Sequence, residues 1–292
     1  MTGPIAESTY GLVKIFEKRP KDVARLYEMN PKLRFVKYQA AGNDFILIDN
    51  RPGHFPQNAH LIQRMCHRQF GIGANGLILL SQPKLRSVRD GFRMQIFNED
   101  GKEAESCGNG LRCLVKFLKN DLGIHKKNYR IQTQTQVVSA YISQGSHVVI
   151  DLGRPKTVNL YVETADGVVH LTDVGVPHAV QFIANAAKID LLKTGADLRK
   201  ALQANINFAD LRDDGTIFVR TFERGVEGET LSCGTGAAAV GCIAFRIYGF
   251  RNPACIRYKG GDLEIREQNG HLFLSGPAEK TFSGSYLLRY PK

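Results

Sequence analysis

The sequence lacks the features that mark several common protein classes. No run in its 292 residues approaches the roughly 18 consecutive apolar residues of a membrane-spanning helix. The N-terminus also lacks the basic stretch followed by an apolar one that is typical of a secretory signal. We therefore expect no membrane partner and a cytoplasmic location. A hydrophobic content of 43% is enough for two modest domains, each with a core of its own.

Cysteine and glycine patterns exclude two further kinds of site. The six cysteines include no CxxC pair, so neither zinc spacing nor a dense disulfide framework is indicated, and we predict free thiols in a reducing compartment. Gly71-Ile-Gly-Ala-Asn-Gly76 is rich in glycine, but no Gly-Lys-Ser/Thr ends it. It also lies between a predicted helix and a predicted strand, whereas a dinucleotide fingerprint follows a strand. A phosphate-binding loop is therefore not predicted.

The charge balance raises nucleic acid and anionic surfaces as partners. There are 39 Lys and Arg residues against 28 Asp and Glu, a net charge of +11. Basic stretches run from Lys14 to Lys37 and from Lys116 to Arg130, but neither is interleaved with aromatic residues as a base-stacking surface would be. We interpret them as solvated faces, expect no nucleic-acid partner, and assign to the positive field an attraction for carboxylate substrates.

An internal repeat organises the rest of the chain. An alternating segment ending at Phe97 and another ending at Phe222 each predict a half-buried strand. A turn and the pattern Ser-Cys-Gly-polar-Gly follow in both copies, and then an apolar helical segment. Cys107 and Cys233 are thereby predicted at the N-termini of two helices. One such copy would be interpreted as a tight turn with a small buried residue, but two copies in matching context favour a site.

That position predicts a specific chemistry. Free backbone N–H groups and the helix dipole stabilise an anion, so both thiols are expected to have a pKa lowered from roughly 8.5. Two such thiols, one from each half, would present bases to opposite faces of one carbon. This arrangement is that of a cofactor-independent racemase, with neither metal nor organic cofactor. Backbone N–H groups of the two turns, at Gly108, Asn109, Gly234 and Thr235, would hold the α-carboxylate.

At these residues the sequence resembles the diaminopimelate epimerases over about residues 34 to 292. The shared motifs, in the order of the family, are Ala41-Gly-Asn-Asp-Phe45, Gly71 to Gly76, Phe97-Asn-Glu-Asp-Gly101, Cys107-Gly-Asn-Gly110, Pro177-His178, Asn205, Glu223-Arg-Gly225 and Cys233-Gly-Thr-Gly236. The resemblance implies an α+β fold of two similar domains, each a mostly antiparallel sheet wrapped around a central helix. We expect the first domain at 34–151, with a crossing C-terminal strand at 281–292, and the second at 152–280. Residues 1–33 form an extension, predicted as a short helix, to which no function is assigned.

The resemblance also implies roles for individual residues. His178 would be the partner of Cys107 and Glu223 the partner of Cys233, although His178 taken alone would be interpreted as a structural histidine. The repeat singles out Glu223 independently, because it follows Phe222 as Asn98 follows Phe97. The predicted substrate-binding residues are Asn43, Asn75, Asn98, Gly108, Asn109, Asn205, Arg224, Gly234 and Thr235.

The function implied is inversion of LL-diaminopimelate to meso-diaminopimelate, in lysine and peptidoglycan precursor synthesis, by a homodimer. Two positions depart from the family: Val176 stands where many relatives have an asparagine two residues before the histidine, and Glu227 lengthens the segment between Arg224 and Cys233. An alternative is therefore a related racemase acting on histidine or glutamate. Proline racemases fit less well, because their first motif typically has histidine where Asn109 stands. A non-enzymatic binder of anions or nucleic acid is the remaining alternative.

Local patterns predict the secondary structure around these motifs. We expect a helix over about 59–69, helical structure over 183–202, and a segment at Asn205 to Phe208 that leads into a loop. Hairpin turns are predicted at Asp166-Gly167, Gly260-Gly261 and Asn269-Gly270.

Overall fold

A computed structural model describes residues 32–288, so the helix predicted in the N-terminal extension lies outside the described residues. Residues 35–283 form one compact unit, and residues 1–34 with 284–292 are grouped as another. Of the latter group, the structure describes the first residues of strand β1 and the last residues of strand β18.

In the first half of the chain, between residue 32 and residue 151, the structure has eight strands and two α-helices. In chain order these are β1 Lys32–Ala40, β2 Asn43–Asp49, α1 Ala59–Cys66, β3 Gly76–Ser81, β4 Phe92–Asn98, β5 Glu103–Ala104, α2 Gly108–Asn120, β6 Tyr129–Gln132, β7 Val137–Ile142 and β8 Val148–Asp151. A short 3₁₀ helix, Arg86–Val88, precedes β4.

The elements of the second half are β9 Thr157–Thr164, β10 Gly167–Asp173, β11 Pro177–Phe182, a 3₁₀ helix at Ala186–Lys188, α3 Leu191–Leu202, β12 Asn205–Leu211, β13 Thr216–Glu223, β14 Gly228–Thr230, α4 Gly234–Tyr248, β15 Ala254–Tyr258, β16 Gly261–Gln268, β17 His271–Gly276 and β18 Glu279–Leu287. The second half thus repeats the first half's order of strands and α-helices from β10 to β17, with β9 before it and β18 after it.

Strand pairing shows that the two halves share one topology. In the first half β1–β2 is antiparallel, β2–β3 parallel, β3–β4 antiparallel and β4–β6 parallel, and β6, β7 and β8 form an antiparallel meander. Strands β10 to β13 and β15 to β17 pair in the same sequence of directions. Strand β17 pairs with β8 and joins the halves, while the Thr281 hydroxyl in β18 donates to the Lys37 carbonyl in β1 at 3.1 Å. Strand β18 thus contacts β1 of the first half.

The central helices form because their sequences suit burial. Leu111, Leu114, Val115 and Leu118 of α2 are all buried, as their helical spacing predicted. Residues Ala237 to Ala244 of α4 are buried without a break, so this helix is enclosed on all sides. It ends at Gly249, whose left-handed φ of 54° suits glycine at a helix C-terminus. The fold class is therefore α+β with two similar domains, which confirms the prediction; the boundaries 34–151 and 152–280 stay predictions.

The hairpin turns were predicted well. The strand register gives hairpin loops at residues 165–166, 259–260 and 269–270, each at its predicted place or one residue before it. Both residues of the last turn have positive φ, 53° and 79°, which is the conformation that favours the Asn-Gly pair.

Three local predictions were wrong. Helix α1 ends at Cys66 instead of Gln69, because the backbone N–H groups of Ile72 and Gly73 turn back to the Met65 carbonyl and terminate the helix. In 183–202 only residues 191–202 form an α-helix. Residues 205–208 belong to strand β12: all four pair with β11, residues 206–208 also pair with β13, and the side chains of Ile206 and Phe208 are buried.

Candidate active site

Both candidate catalytic cysteines cap a central helix. The Cys107 sulfur accepts a hydrogen bond from the Gly110 N–H at 3.5 Å, at the start of α2. The Cys233 sulfur accepts from the Gly236 N–H at 3.4 Å, at the start of α4. Each thiol thus occupies the place of a serine or aspartate cap, where unpaired N–H groups favour an anion. The predicted placement is confirmed.

The two helix N-termini meet at a pair of glycines. A Cβ added to Gly108 would lie 3.7 Å from the Gly234 Cα, and one added to Gly234 would lie 3.6 Å from the Gly108 Cα. The same added atoms would lie 3.0 and 2.9 Å from Leu274 Cδ2. Glycine at both positions is therefore what lets the two turns approach this closely, and it brings both cysteine caps to one place.

The pKa of neither cysteine is lowered, although a position at a helix N-terminus predicted that it would be. Burial raises the pKa of Cys107 despite the opposing Gly110 N–H. Burial, followed by the nearby Glu223 carboxylate, raises the pKa of Cys233 against the Thr235 hydroxyl and the Gly236 N–H. The prediction of a lowered thiol pKa was wrong, because removing a thiolate from water costs more than the helix N-terminus returns.

Glu223 lies at the C-terminal end of β13. Strand register makes it the counterpart of Asn98, since Phe97 pairs with Leu77 as Phe222 pairs with Ile206. Burial raises the pKa of the Glu223 carboxyl, and its charge acts on both cysteines. The structure therefore places Glu223 near Cys233, although its catalytic role stays a prediction. Asn98 itself is exposed.

His178 lies in β11, where only 1% of its surface is exposed. Its Nδ1 is 3.1 Å from the Asn207 side-chain nitrogen. Its Nε2 is buried and has no hydrogen-bond partner in the described part of the chain. Burial, and secondarily the Arg224 guanidinium, lowers the pKa of His178 to about 3, so the ring is neutral. Because the ring makes no hydrogen bond to Cys107, their partnership stays a prediction.

Asn205 stabilises the segment that contains Arg224 by hydrogen bonds. It pairs with His178 across β11 and β12, its amide nitrogen donates to the Pro177 carbonyl at 3.1 Å, and its amide oxygen accepts from the Arg224 N–H at 2.8 Å. The Arg224 side chain is exposed, with a long contact of 3.4 Å to the Gln203 carbonyl. Its guanidinium is thus accessible to a ligand, whereas the Asn205 amide is already engaged.

An ion-pair cluster lies at Asp44, next to Asn43 in the chain and bonded to Asn75. Asp44 pairs with Lys37 at 2.8 Å and, through both oxygens, with Arg68 at 2.9 and 3.1 Å. The Asp44 N–H donates to the Asn75 side-chain oxygen, and the Asn75 N–H returns to the Asp44 carboxylate. The Asn43 side-chain oxygen is buried without a hydrogen-bond partner within residues 32–288, which leaves it available to a ligand.

Arg112 is a residue that the sequence analysis missed. It is fully buried in the first turns of α2, and it donates to the Asn109 side-chain oxygen at 2.7 Å and to the Pro277 carbonyl at 3.2 Å. Its Nη1 has no hydrogen-bond partner in the described chain and would lie 3.9 Å from a Cβ on Gly234. Burial lowers the pKa of Arg112 to about 10, which still leaves it a cation at neutral pH. A buried positive charge thus lies beneath both cysteine turns.

Asn109 links the two halves. Its amide nitrogen donates to the Ser232 hydroxyl at 3.1 Å, and the Ser232 hydroxyl donates to the Ala41 carbonyl at 2.7 Å. The turn after β1 and the segment before Cys233 are thereby joined to α2. Arg112 is far in sequence from Pro277, and Ser232 is far from Ala41. The sequence pattern therefore could not predict these contacts.

Metal binding is not supported by any side-chain cluster in the described range. No group of three or more His, Cys, Asp or Glu residues between 32 and 288 is arranged to hold a metal ion. No helix in this range is long and apolar enough to span a membrane.

Several solved structures of known proteins have a similar fold. Among solved structures, the chain is similar to a hydroxyproline epimerase from Agrobacterium vitis with bound trans-4-hydroxy-L-proline, with a TM-score of 0.68 and 15% identity over 90% of this chain and 94% of that one. It is also similar to a phenazine biosynthesis protein of the PhzF family from Bacillus anthracis, with a TM-score of 0.68 and 13% identity over 88% of this chain and 99% of that one. These likenesses define the class of fold: two related domains, each built around a central helix.

Sequence comparison defines the family within that class. Residues 35–158 and 170–281 match the family described as diaminopimelate epimerase. A diaminopimelate epimerase from Flavobacterium psychrophilum is 40% identical over 263 residues, covering 86% of this chain and 98% of the relative. One from Methanocella arvoryzae is 35% identical over 280 residues, covering 87% and 96%. The chain belongs to the diaminopimelate epimerase family.

Proposed function

We propose that this protein is an isomerase that inverts an α-carbon of LL-diaminopimelate to give meso-diaminopimelate, using Cys107 and Cys233 as the two acid–base groups. The observation that carries the proposal is the meeting of two cysteine-capped helix N-termini at Gly108 and Gly234, within a member of this family. Relatives bearing the name diaminopimelate epimerase match nearly their whole length to this chain.

The geometry suits proton transfer on two faces of one carbon. One cysteine, as thiolate, removes the α-proton, and the other, as thiol, protonates the opposite face. The thiolate form is costly in the buried free site, so we expect substrate binding and the buried Arg112 cation to stabilise it. N–H groups in the first turns of α2 and α4 receive the α-carboxylate and the charge that develops next to it.

Assignments of single side chains within this proposal follow their surroundings. Glu223 exchanges a proton with Cys233, since its carboxylate is the largest electrostatic influence on that thiol after burial. Arg224 is exposed and cationic, and we assign it to the distal carboxylate of diaminopimelate. Asn43, whose side-chain oxygen has no hydrogen-bond partner among the residues that the structure describes, receives an ammonium or amide donor.

The cytoplasmic location and the homodimer also belong to this proposal. All six cysteines are free thiols in the structure, which suits a reducing compartment. Size-exclusion chromatography with light scattering tests the dimer, for which a 32.4 kDa chain predicts twice that mass.

A panel assay in deuterium oxide tests the proposed reaction. Purified protein is incubated with LL-diaminopimelate, L-histidine and L-glutamate, and deuterium at the α-carbon is measured by mass spectrometry. We expect label and meso product with diaminopimelate alone. Label only with histidine or glutamate would overturn the substrate assignment, and no label with any of the three would overturn the proposed function.

A further inference from the structure

A buried polar network lies behind His178 and is not used by the mechanism above. Asn207, Thr221 and Tyr258 are each 4% exposed or less. The Thr221 hydroxyl donates to the Asn207 side-chain oxygen at 2.9 Å, and the Tyr258 hydroxyl lies 3.4 Å from the Thr221 hydroxyl. Buried polar groups of this kind are costly unless paired, so their presence in a core calls for an explanation.

The orientation of the Asn207 amide is determined by its neighbours. Its nitrogen lies 3.0 Å from the Ala179 carbonyl, which only accepts, and its oxygen lies 2.9 Å from the Thr221 hydroxyl. Rotating the amide by half a turn would place oxygen against the Ala179 carbonyl oxygen. The NH₂ group therefore faces Ala179 and His178, with a longer contact of 3.4 Å to the Asn205 carbonyl.

This orientation determines where His178 carries its proton. The Asn207 nitrogen is 3.1 Å from His178 Nδ1 and can only donate. A proton on Nδ1 would set two donors against each other, so Nδ1 is the acceptor. In a neutral ring the proton must then be on Nε2, the atom that has no hydrogen-bond partner within the described residues.

The first half of the chain shows that the fold itself does not need this network. Register makes Ile78 and Ile96, which pair across β3 and β4, the counterparts of Asn207 and Thr221, which pair across β12 and β13. An atom added to Gly110 would meet the Ile78 and Ile96 side chains at 3.0 and 3.1 Å. The equivalent atom on Gly236 would meet the Asn207 oxygen at 2.5 Å and the Tyr258 hydroxyl at 3.0 Å.

The same structural place is thus apolar in one half and polar in the other. The two halves also differ at the position of His178, whose counterpart by register is Phe45: Phe45 pairs with Gly76 as His178 pairs with Asn205. The polar network therefore occurs in the half that has His178 at this position, and the two isoleucines occur in the half that has Phe45 there.

We propose that Asn207, held by Thr221 and Tyr258, is a positioning residue that fixes His178 as a neutral Nε2–H hydrogen-bond donor. This proposal rests on the proposed function for the place of His178 at the reacting centre. A histidine in this form donates to a thiolate or to a substrate oxygen, and it cannot accept the Cys107 proton at Nε2. Its part in the reaction is to stabilise an anion, not to act as the base for Cys107.

The tautomer can be measured without substrate. In ¹⁵N-histidine-labelled protein, a long-range ¹H–¹⁵N spectrum distinguishes a protonated Nε2 from a protonated Nδ1, and His178→Gln identifies the signals of His178 among the 8 histidines. We expect protonated Nε2 in the wild type at neutral pH. Protonated Nδ1, or an imidazolium, would overturn the proposal.

Asn207→Asp provides the decisive variant, because a carboxylate accepts where the amide donates. We expect the His178 proton to move to Nδ1, or the ring to become charged, and kcat/KM to fall by about 10- to 100-fold, as for loss of a hydrogen bond to a charged group. Thr221→Val tests the support of Asn207 with a smaller change in shape, and is expected to give a mixture of tautomers.

Asn252→Asp is the matched control. Asn252 also donates its amide to a carbonyl, that of Glu267 at 2.7 Å, but it is not in contact with His178. We expect it to leave the His178 spectrum and kcat/KM unchanged. An Asn207→Asp protein with the wild-type tautomer, or with a shifted tautomer and full activity, would overturn the proposal. If no substrate is turned over by the wild type, the spectra still test the network while the proposed function fails.

Discussion

The first turns of α2 and α4 are equivalent in topology but are surrounded by opposite chemistry. Behind Cys107 the turn packs on Ile78 and Ile96, and behind Cys233 it packs on Asn207 and Tyr258. Conversely, the buried Arg112 on α2 has Ala238 as its counterpart on α4, five residues after the cysteine in each case. The duplicated topology thus holds the two thiols in equivalent positions, but the polar and charged side chains around each thiol are different.

The difference separates what the fold requires from what the reaction requires. Both halves keep the cysteine cap and the glycines that allow close approach, so these features belong to the common geometry. Glu223, His178 and Arg112 each occur in one half only. We infer that these unpaired features adjust proton affinity on one face of the substrate, since in each case the other half has the same topology without them.

Removing either thiol should have the largest effect and should be symmetric between the halves. We expect Cys107→Ala and Cys233→Ala each to lower kcat/KM for inversion by at least about 10²- to 10⁴-fold, the usual contribution of one general acid or base. Epimerase assays on the purified variants check this. Cys66→Ala and Cys255→Ala are the controls and should keep activity; full activity in either of the first two variants would exclude the two-thiol account.

Making the second half resemble the first should break function but not folding. We expect Asn207→Ile combined with Thr221→Ile to reduce kcat/KM by about 10- to 100-fold, because the hydrogen bond to His178 is lost, and to cost less stability than the reverse change, although the Tyr258 hydroxyl loses its contact with Thr221. The reverse change, Ile78→Asn with Ile96→Thr, should lower the free energy of unfolding by about 1–3 kcal/mol or more, because it buries polar groups without partners. Thermal unfolding and kinetics on both proteins check the pair. Equal loss of stability in both would argue that the polar network is structural.

Replacing Arg112, the buried cation, should lower activity by a smaller amount, through the pKa of Cys107. Burial raises the pKa of Cys107, and Arg112 is one of the neighbours that oppose this rise, so we expect Arg112→Met to raise that pKa further and to slow inversion near neutral pH by less than the loss of a thiol does. The pH dependence of Cys107 alkylation by iodoacetamide, followed by mass spectrometry, measures the shift. Since less thiolate is present at a given pH, the alkylation curve should move to higher pH. Arg112→Lys keeps the charge and should stay close to the wild type; an unmoved curve in Arg112→Met would contradict the assigned role.

The smallest expected effect concerns substrate fit at Val176. Register makes Val176 the counterpart of Asn43, because Phe45 and His178 occupy equivalent positions two residues later. If the pocket takes diaminopimelate, Val176→Asn should improve kcat/KM by about two- to tenfold by adding one hydrogen bond to the distal end. Kinetics with diaminopimelate, histidine and glutamate check it. A decrease on diaminopimelate would mean that the half-buried valine packs against a less polar substrate.

The sequence predicted the parts of the site that local patterns encode. The repeated Ser-Cys-Gly-polar-Gly places both cysteines at helix starts, and Asn269-Gly270 specifies a hairpin, because these depend on a few neighbouring residues. The equivalence of Glu223 and Asn98 also followed from their position after a phenylalanine.

What could not be predicted depends on tertiary contacts. Arg112 is held by Pro277, and Asn207 by Ala179 and Thr221, residues that the sequence alone does not bring together. The raised thiol pKa values follow from burial, which the helix position could not reveal. Residues 205–208 were expected to lead into a loop, whereas pairing with β11, and from Ile206 onwards also with β13, makes them part of the sheet.

The central claim is that two thiols act on opposite faces of one carbon, and the origin of the product's α-hydrogen tests it directly. LL-diaminopimelate is converted in deuterium oxide to a small extent, and both product and remaining substrate are analysed by mass spectrometry and separated by stereochemistry. We predict that the meso product carries one deuterium at the inverted carbon while the remaining substrate is nearly unlabelled, because the proton delivered comes from a thiol other than the one that removed it. A meso product that retains its original hydrogen would show a single base acting on both faces, and would contradict the account.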